Sequence, residues 1–194
     1  MRQAQIQRRT NETNINVSIN LDGEGVSNIN TGIGFFDHML TLFASHGRFN
    51  LDVNCDGDIE VDGHHSIEDI GIALGIVIKN ALGDKRGINR YGTFYLPMDE
   101  ALVLVSLDIS GRPYLVYNAD EMAPMIGSYD TELTEEFLRA LAFNSGITLH
   151  VNVLYGKNSH HKVEAIFKAL GHALRIATEH DPRMNEIPST KGVL

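Results

Sequence analysis

The sequence predicts an α+β fold that is internally duplicated. The motif His64-His65-x-x-Glu68 recurs 96 residues later as His160-His161-x-x-Glu164. Each copy opens an apolar run with helical spacing, and segments with an apolar residue at every second position precede each run. Strands of this kind beside amphipathic helices predict, in each half, a small sheet covered by helices on one face. The two helical runs are also identical at four matched positions, Ile70/Ile166, Ala73/Ala169, Leu74/Leu170 and Gly75/Gly171.

The first half, residues 1–92, is predicted to follow the order β-β-α-β-β-α. The opening segment contains a strand with strict alternation, and Gly47 and Gly83 end the two helices. The predicted elements are a strand at 13–21, a turn at 22–25, a helix at 34–44, strands at 50–56 and 58–62, and a helix at 66–82.

The second half, residues 93–194, repeats this order. Asn144 and Gly146 stop its first helix, and the pair Asp181-Pro182 stops its last. No segment of low complexity separates the halves, so we expect one compact functional unit. The predicted elements are strands at 101–109 and 113–117, a helix at 134–143, a strand at 147–154, and a helix at 160–180.

Composition narrows the class of protein. Cys55 is the only cysteine, which excludes an intrachain disulfide and a thiolate metal cluster. No apolar run reaches the ~20 residues of a membrane helix, and the N-terminus lacks the apolar stretch of a secretory signal. The formal net charge of −9 argues against general affinity for nucleic acid. We therefore expect a cytoplasmic protein without nucleic-acid or membrane partners, in which a few concentrated cations would hold any phosphate.

The repeated motif predicts a metal site. On a helix the first histidine and the glutamate are four residues apart and share a face, whereas adjacent histidines point about 100° apart. Each pair therefore suits two ions better than one. Imidazole and carboxylate ligands suit Mn, Fe, Zn, Co or Ni. The alternative for one copy is a capped, solvated histidine pair, but two matched copies favour metal. His172 and His180 are interpreted as surface or packing residues, and His150 as a structural residue.

At these residues the chain resembles the imidazoleglycerol-phosphate dehydratase family, and the resemblance covers essentially the whole sequence. The matching segments occur in order and are jointly specific. They are Arg9-Thr-Asn-Glu-Thr13, Thr31-Gly-Ile-Gly-Phe-Phe-Asp-His-Met-Leu40, Ala44-Ser-His-Gly47, Asp62-Gly-His-His-Ser-Ile-Glu-Asp69, Leu107-Asp-Ile-Ser-Gly-Arg-Pro113, Gly146-Ile-Thr-Leu-His150, Gly156-Lys-Asn-Ser-His-His161 and Pro188-Ser-Thr-Lys-Gly192.

The resemblance implies a fold like that of ribosomal protein S5 domain 2 and dehydration of D-erythro-imidazole glycerol phosphate to imidazole acetol phosphate in histidine biosynthesis. It also implies a 24-subunit homo-oligomer with two Mn²⁺ ions per active site and ligands from more than one subunit. Many family members have a histidine where this chain has Glu136, so either this carboxylate binds metal or water fills that position. The implied metal ligands are His38, His64, His65, Glu68, Glu136, His160, His161 and Glu164.

The resemblance also implies the residues that handle the substrate. Glu12 is the expected acid/base residue, and Glu164 is a second candidate for that role. Two other classes of function fit the ligands and cations on chemistry alone: a two-metal phosphate-ester hydrolase, and a metal-storage or scaffold protein. The expected substrate-binding residues are Glu12, His46, Arg90, Arg112, Lys168, Ser189, Thr190 and Lys191.

Overall fold

The computed structural model describes residues 2–120 and 122–194 and has two halves of matching architecture. The first half contains β1 (Gln3–Arg9), β2 (Thr13–Asn20), β3 (Ser27–Asn30), α1 (Gly34–Gly47), β4 (Asn50–Gly57) and α2 (His64–Leu82). The second contains β5 (Tyr91–Met98), β6 (Ala101–Asp108), β7 (Tyr114–Asn118), the short strands β8 (Met125–Ile126) and β9 (Tyr129–Asp130), α3 (Glu132–Ser145), β10 (Thr148–Tyr155) and α4 (Ser159–Thr178).

Each half forms a four-stranded mixed sheet, and the two sheets have the same topology. The strand orders are β1-β2-β4-β3 and β5-β6-β10-β7. The third strand of each half runs parallel to its neighbour, and the other pairs are antiparallel. The predicted α+β class with duplicated halves is confirmed. The boundary drawn between residues 92 and 93 falls just inside β5.

The order of strands within a half differs from the prediction. In the first half three strands precede the first helix and one follows it, and the second half has the same order with the short strands β8 and β9 added before α3. The segment 58–62, predicted as a strand, forms a turn in which Ile59 and Val61 are 45% and 66% exposed. Its alternation resembles a strand, but no sheet buries its apolar side chains. The edge strand β3 was not predicted because its four residues include one apolar side chain, Ile29.

The four helices lie between the two sheets and join the halves. α2 packs on β1 and β2, and α4 packs on β5 and β6. Across the halves, α2 packs against α3, and α4 packs against α1. Glycine permits both approaches: a Cβ at Gly75 would lie 2.8 Å from the Leu141 carbonyl oxygen, and one at Gly171 would lie 2.6 Å from that of Phe43. The buried apolar residues therefore form one core shared by both halves.

The starts of the helices meet at one end of the molecule. Gly63, just before α2, is close to the side chains of Ile33 and Leu133, which lie at the starts of α1 and α3. The Phe35 ring lies 4.8 Å from that of Tyr129 and 5.2 Å from that of His160 at the start of α4. In the described part of the chain, no helix has the length and apolar character needed to cross a membrane.

Candidate metal centre

Three predicted ligands meet where α1 packs against α4. His38 lies in the second turn of α1, and His160 and Glu164 lie four residues apart on α4. Their ligand atoms all lie within 4.8 Å of one another. His160 Nε2 is 3.1 Å and His38 Nε2 is 3.7 Å from Glu164 Oε2. Within residues 2–120 and 122–194, this is the one group of three or more potential ligands that is so compact. Two imidazoles and a carboxylate suit a divalent transition metal.

The other carboxylate oxygen of Glu164 faces a cation. Lys168 Nζ lies 2.5 Å from Glu164 Oε1, and the Glu164 side chain is only 9% exposed. Burial raises the pKa of this carboxyl, but the hydrogen bond and charge of Lys168 outweigh burial and lower it overall. Glu164 is thus held as a carboxylate, which suits a metal ligand better than a general base. Lys168, predicted to bind substrate, therefore lies beside the predicted metal ligand Glu164.

A second, related group lies where α2 meets α3. Glu136 is the fifth residue of α3, and His38 is the fifth residue of α1. The duplication therefore makes Glu136 the counterpart of His38. Glu136 and His64 both line a cavity of ≈ 630 Å³. His64 Nε2 lies 3.9 Å from Glu68 Oε2. These three residues occupy the positions equivalent to the first group, with a carboxylate in place of one imidazole.

The second histidine of each pair points elsewhere, as helix geometry requires. The ring planes of His64 and His65 are inclined at 83° to each other, and those of His160 and His161 at 85°, while the second histidine of each pair bonds a different carboxylate from the first. His65 Nδ1 lies 3.0 Å from Asp58 Oδ2, and His161 Nδ1 lies 2.8 Å from Glu100 Oε2. These hydrogen bonds raise the pKa of both histidines.

Asp58 and Glu100 are site residues that the sequence analysis missed. Asp58 precedes the turn at 59–62, and Glu100 lies in the β5–β6 turn. Glu100 also accepts backbone hydrogen bonds from Lys157 and Asn158, at 3.0 and 2.7 Å. These hydrogen bonds, with that of His161, lower its pKa to about 2. The one sequence signal that could have identified Glu100 is its position directly before a strand, which matches the position of Glu12.

Glu12, the predicted acid/base residue, lies near the first histidine pair. Its Oε1 is 3.7 Å from His65 Nε2, and its side chain is 52% exposed. The turn that carries it is firmly held. The Thr10 hydroxyl accepts hydrogen bonds from the backbone N–H groups of Glu12 and Thr13. The Thr13 hydroxyl donates to the buried Asp69 at 2.6 Å, and Arg8 forms an ion pair with the same carboxylate.

His46 has a partner that the sequence did not predict. Its Nδ1 lies 3.1 Å from Nε2 of His172, whose ring stacks on Phe94 at 4.1 Å. Of the two interpretations given for His172, surface or packing residue, the structure supports packing, since α1 and α4 pack together and bring the two rings into contact. Burial lowers the pKa of His46, and burial together with the charge of His46 lowers that of His172 to about 4. Both rings are neutral near pH 7.

The remaining predicted substrate residues lie at the opposite end of the helices. Arg90 bonds Asp108 at 2.7 and 3.1 Å and the Pro188 carbonyl at 2.9 Å, which places the tail residues Ser189, Thr190 and Lys191 nearby. Arg112 lies 3.7 Å from Asp108, and its side chain is 68% exposed. The backbone of Arg90 bonds Ala177, thirteen residues beyond Glu164 on α4 and so ~20 Å away along the helix axis. One chain therefore does not bring these cations to its own predicted metal ligands.

Comparisons with known proteins agree with this geometry. A family model described as imidazoleglycerol-phosphate dehydratase matches residues 31–174. The chain is 60% identical over 193 residues to the imidazoleglycerol-phosphate dehydratase of Acetivibrio thermocellus, covering 100% of this chain and 99% of that protein. It is 58% identical over 194 residues to that of Ruminiclostridium cellulolyticum, with both chains fully covered.

Solved structures with the same description are also similar. The crystal structure of the Staphylococcus aureus protein matches with a TM-score of 0.84 and 46% identity, covering 92% of this chain and 99% of that one. The Pyrococcus furiosus protein, crystallised in complex with (S)-C348, matches with a TM-score of 0.83 and 39% identity. That match covers 97% of this chain and 100% of the other.

The neutral His46–His172 pair predicts a pH dependence of stability. The unfolded chain titrates His172 near 6.5, whereas the folded chain does so at about 4, so the unfolded state binds more protons between these values. The free energy of unfolding should therefore fall as the pH drops through this window. We expect the thermal midpoint of metal-free protein to fall less between pH 7 and 4.5 in His172→Gln than in the wild type. His180→Gln, which changes an exposed histidine, is the control. Equal slopes in all three proteins would contradict this assignment.

Proposed function

The chain belongs to the imidazoleglycerol-phosphate dehydratase family of hydro-lyases in histidine biosynthesis, and we propose that it dehydrates D-erythro-imidazole glycerol phosphate to imidazole acetol phosphate in a manganese-dependent reaction. The observation that carries this proposal is the compact group of His38, His160 and Glu164, together with its duplicated counterpart. Membership of a hydro-lyase family favours this reaction over phosphate-ester hydrolysis and over metal storage.

The residues present fit two manganese ions per active site. His38, His160 and Glu164 would hold one ion, and His64, Glu68 and Glu136 are the equivalent donors for another. Each set has imidazole and carboxylate donors without thiolate, which suits Mn²⁺. His65 and His161, which point away from these sets, would complete the coordination in an assembled site. When bound, the ions supply Lewis-acid polarisation of the substrate's imidazole ring and hydroxyl groups.

The reaction breaks the C–O bond next to the ring and a C–H bond on the adjacent carbon, and the resulting enol becomes a ketone. A base must take the carbon-bound proton. Glu12 is best suited to that task, since its carboxylate is half-exposed and lies 3.7 Å from His65 Nε2 without an ion pair to a lysine or arginine among the described residues. Glu164 is less suited because Lys168 lowers its pKa.

The substrate phosphate would be held by the cationic cluster at the far end of the helices, with the tail residues Ser189, Thr190 and Lys191. Arg112 has the more exposed guanidinium, and its flat donor edge suits phosphate. Arg90 is oriented by Asp108. Lys168 and the neutral His46 lie nearer the metal ligands, where they can contact the middle of the substrate.

We propose that active sites form between subunits of a 24-subunit homo-oligomer, in the cytoplasm. The separation of ~20 Å along α4 between Glu164 and Ala177, which bonds the backbone of Arg90, supports shared sites, because a substrate with only a three-carbon chain between its imidazole ring and its phosphate is too short to bridge it. A neighbouring subunit would supply the missing half. The chain has a net charge of −9, yet Arg90, Arg112 and Lys191 lie in one region, and such a local concentration of cationic side chains suits a small anionic substrate.

Metal removal tests the reaction. We expect chelator-stripped protein to lose turnover of imidazole glycerol phosphate and added Mn²⁺ to restore it, with a ketone formed and no inorganic phosphate released. His38→Ala should lose this recovery, because it removes one of three clustered ligands, whereas the exposed His180→Ala should keep it. Phosphate release without ketone would instead support a hydrolase, and metal binding without turnover would support a storage role.

The role of Glu136 can be measured by metal content. We propose that it is a ligand, since it matches His38 and lies with His64 on one cavity. Glu136→Gln should lower bound manganese from about two ions to about one per chain. Glu135→Gln is a matched control, because the neighbouring Glu135 pairs with Arg139 instead. Unchanged metal content in Glu136→Gln would show that water fills this position.

Subunit mixing tests shared sites. Chains with His160→Ala and chains with Arg112→Ala should each be inactive. Oligomers reassembled from equal amounts of the two should regain up to about a quarter of wild-type activity, since about one site in four then combines an intact ligand group from one chain with an intact Arg112 from another. Mixing His38→Ala with His160→Ala chains should restore nothing, because both changes affect the same ligand group. Mixed oligomers without recovery would show that one chain supplies the whole site.

A further inference from the structure

Glu12 and Glu100 occupy equivalent positions in the two halves. Each lies in the turn between the first two strands of its half, directly before β2 and β6 respectively. β2 and β6 hold the same place in their sheets, second from one edge. Each glutamate approaches the second histidine of its own half, Glu12 approaching His65 and Glu100 approaching His161. The duplication thus gave each half one glutamate beside one histidine.

The two glutamates contact their histidines differently. Glu100 lies 2.8 Å from the Nδ1 atom of His161 and accepts two further hydrogen bonds from the backbone at the start of α4. All of these contacts hold it in one orientation. Glu12 is 3.7 Å from the other ring nitrogen, Nε2, of His65. Its own backbone N–H is bonded to Thr10, but its carboxylate is held by no comparable set of donors among the described residues.

In the first half, Asp58 takes the place that Glu100 has in the second. Its carboxylate lies 3.0 Å from His65 Nδ1, and its side chain is 23% exposed. A carboxylate can only accept here, so the Nδ1–H group of each histidine donates to it. The lone pair is then on Nε2 in both His65 and His161, which fixes the tautomer and ring orientation needed by a metal ligand.

We propose that Glu100 and Asp58 are positioning residues that fix Nε2 of His161 and His65 as ligand atoms, and that Asp58 thereby leaves Glu12 free for proton transfer. The inference rests on the proposed function for the metal and for the role of Glu12. It explains why two equivalent glutamates have different surroundings. Glu100 orients the histidine His161, whereas Glu12 remains exposed beside His65.

The test measures metal affinity and turnover separately on the assembled full-length protein. We expect Glu100→Gln and Asp58→Asn to weaken Mn²⁺ binding by ~10–100-fold in equilibrium dialysis. Excess Mn²⁺ should then restore most of their kcat. Glu12→Gln should keep wild-type Mn²⁺ affinity and lose kcat at every metal concentration. Glutamine at position 100 retains an acceptor for the two backbone N–H groups, and thermal unfolding checks that each variant is folded.

Glu179→Gln is the control for removing a carboxylate, because Glu179 pairs with Arg175 on the surface at 3.6 Å. Wild-type Mn²⁺ affinity in folded Glu100→Gln and Asp58→Asn would overturn the inference, as would an equal loss of affinity in Glu12→Gln. Failure of the proposed function has a different outcome: the wild type would bind Mn²⁺ without forming ketone, while the affinities of the variants would still report on the positioning role.

Discussion

The close contact between helices of opposite halves is the constraint on which the site depends. Gly171 brings the backbone of α4 against the end of α1, and Gly75 does the same for α2 and α3. Both helix pairs run in the same direction, so their first turns meet as well. The predicted ligands His38, His160 and Glu164 become neighbours through this contact, and so do His46 and His172. A side chain at either glycine would separate the helices and the ligands with them.

The two copies of the His-His-x-x-Glu motif have diverged along their helices. On α4 a stripe of polar side chains at intervals of four residues continues from His160 and Glu164 to Lys168 and His172. The matching stripe on α2 continues from His64 and Glu68 to Ile72 and Ile76. The α4 copy therefore has a cation against its carboxylate and a neutral histidine pair beyond it, whereas the α2 copy has half-buried apolar side chains. The duplication supplied two similar ligand sets, and their surroundings now differ in charge.

The length of the helices also separates the predicted metal ligands from the cluster of cationic side chains. The predicted metal ligands lie in the first two turns of the helices, and the Arg90, Asp108 and Arg112 cluster lies where α4 ends. Carboxylates near helix N-termini are favoured by the helix dipole, which helps to keep Glu100, bonded to the backbone just before α4, charged. In the proposed function a substrate that contacts both groups binds between subunits, and this arrangement would link catalysis to assembly.

The sequence by itself determined the elements with strong local periodicity and the residue types of the site. Helices α1 to α4 and strands such as β2 and β6 follow from the spacing of apolar residues. The repeated His-His-x-x-Glu motif indicated that its two histidines point in different directions, because helix geometry sets about 100° between adjacent side chains. Tertiary structure alone decided the partners. His38 joins α4 and not the helix of its own half, His172 faces His46, and Glu100 holds His161, since each contact joins residues distant in the chain. The edge strand β3 and the turn at 59–62 likewise depended on which apolar side chains the sheet could bury.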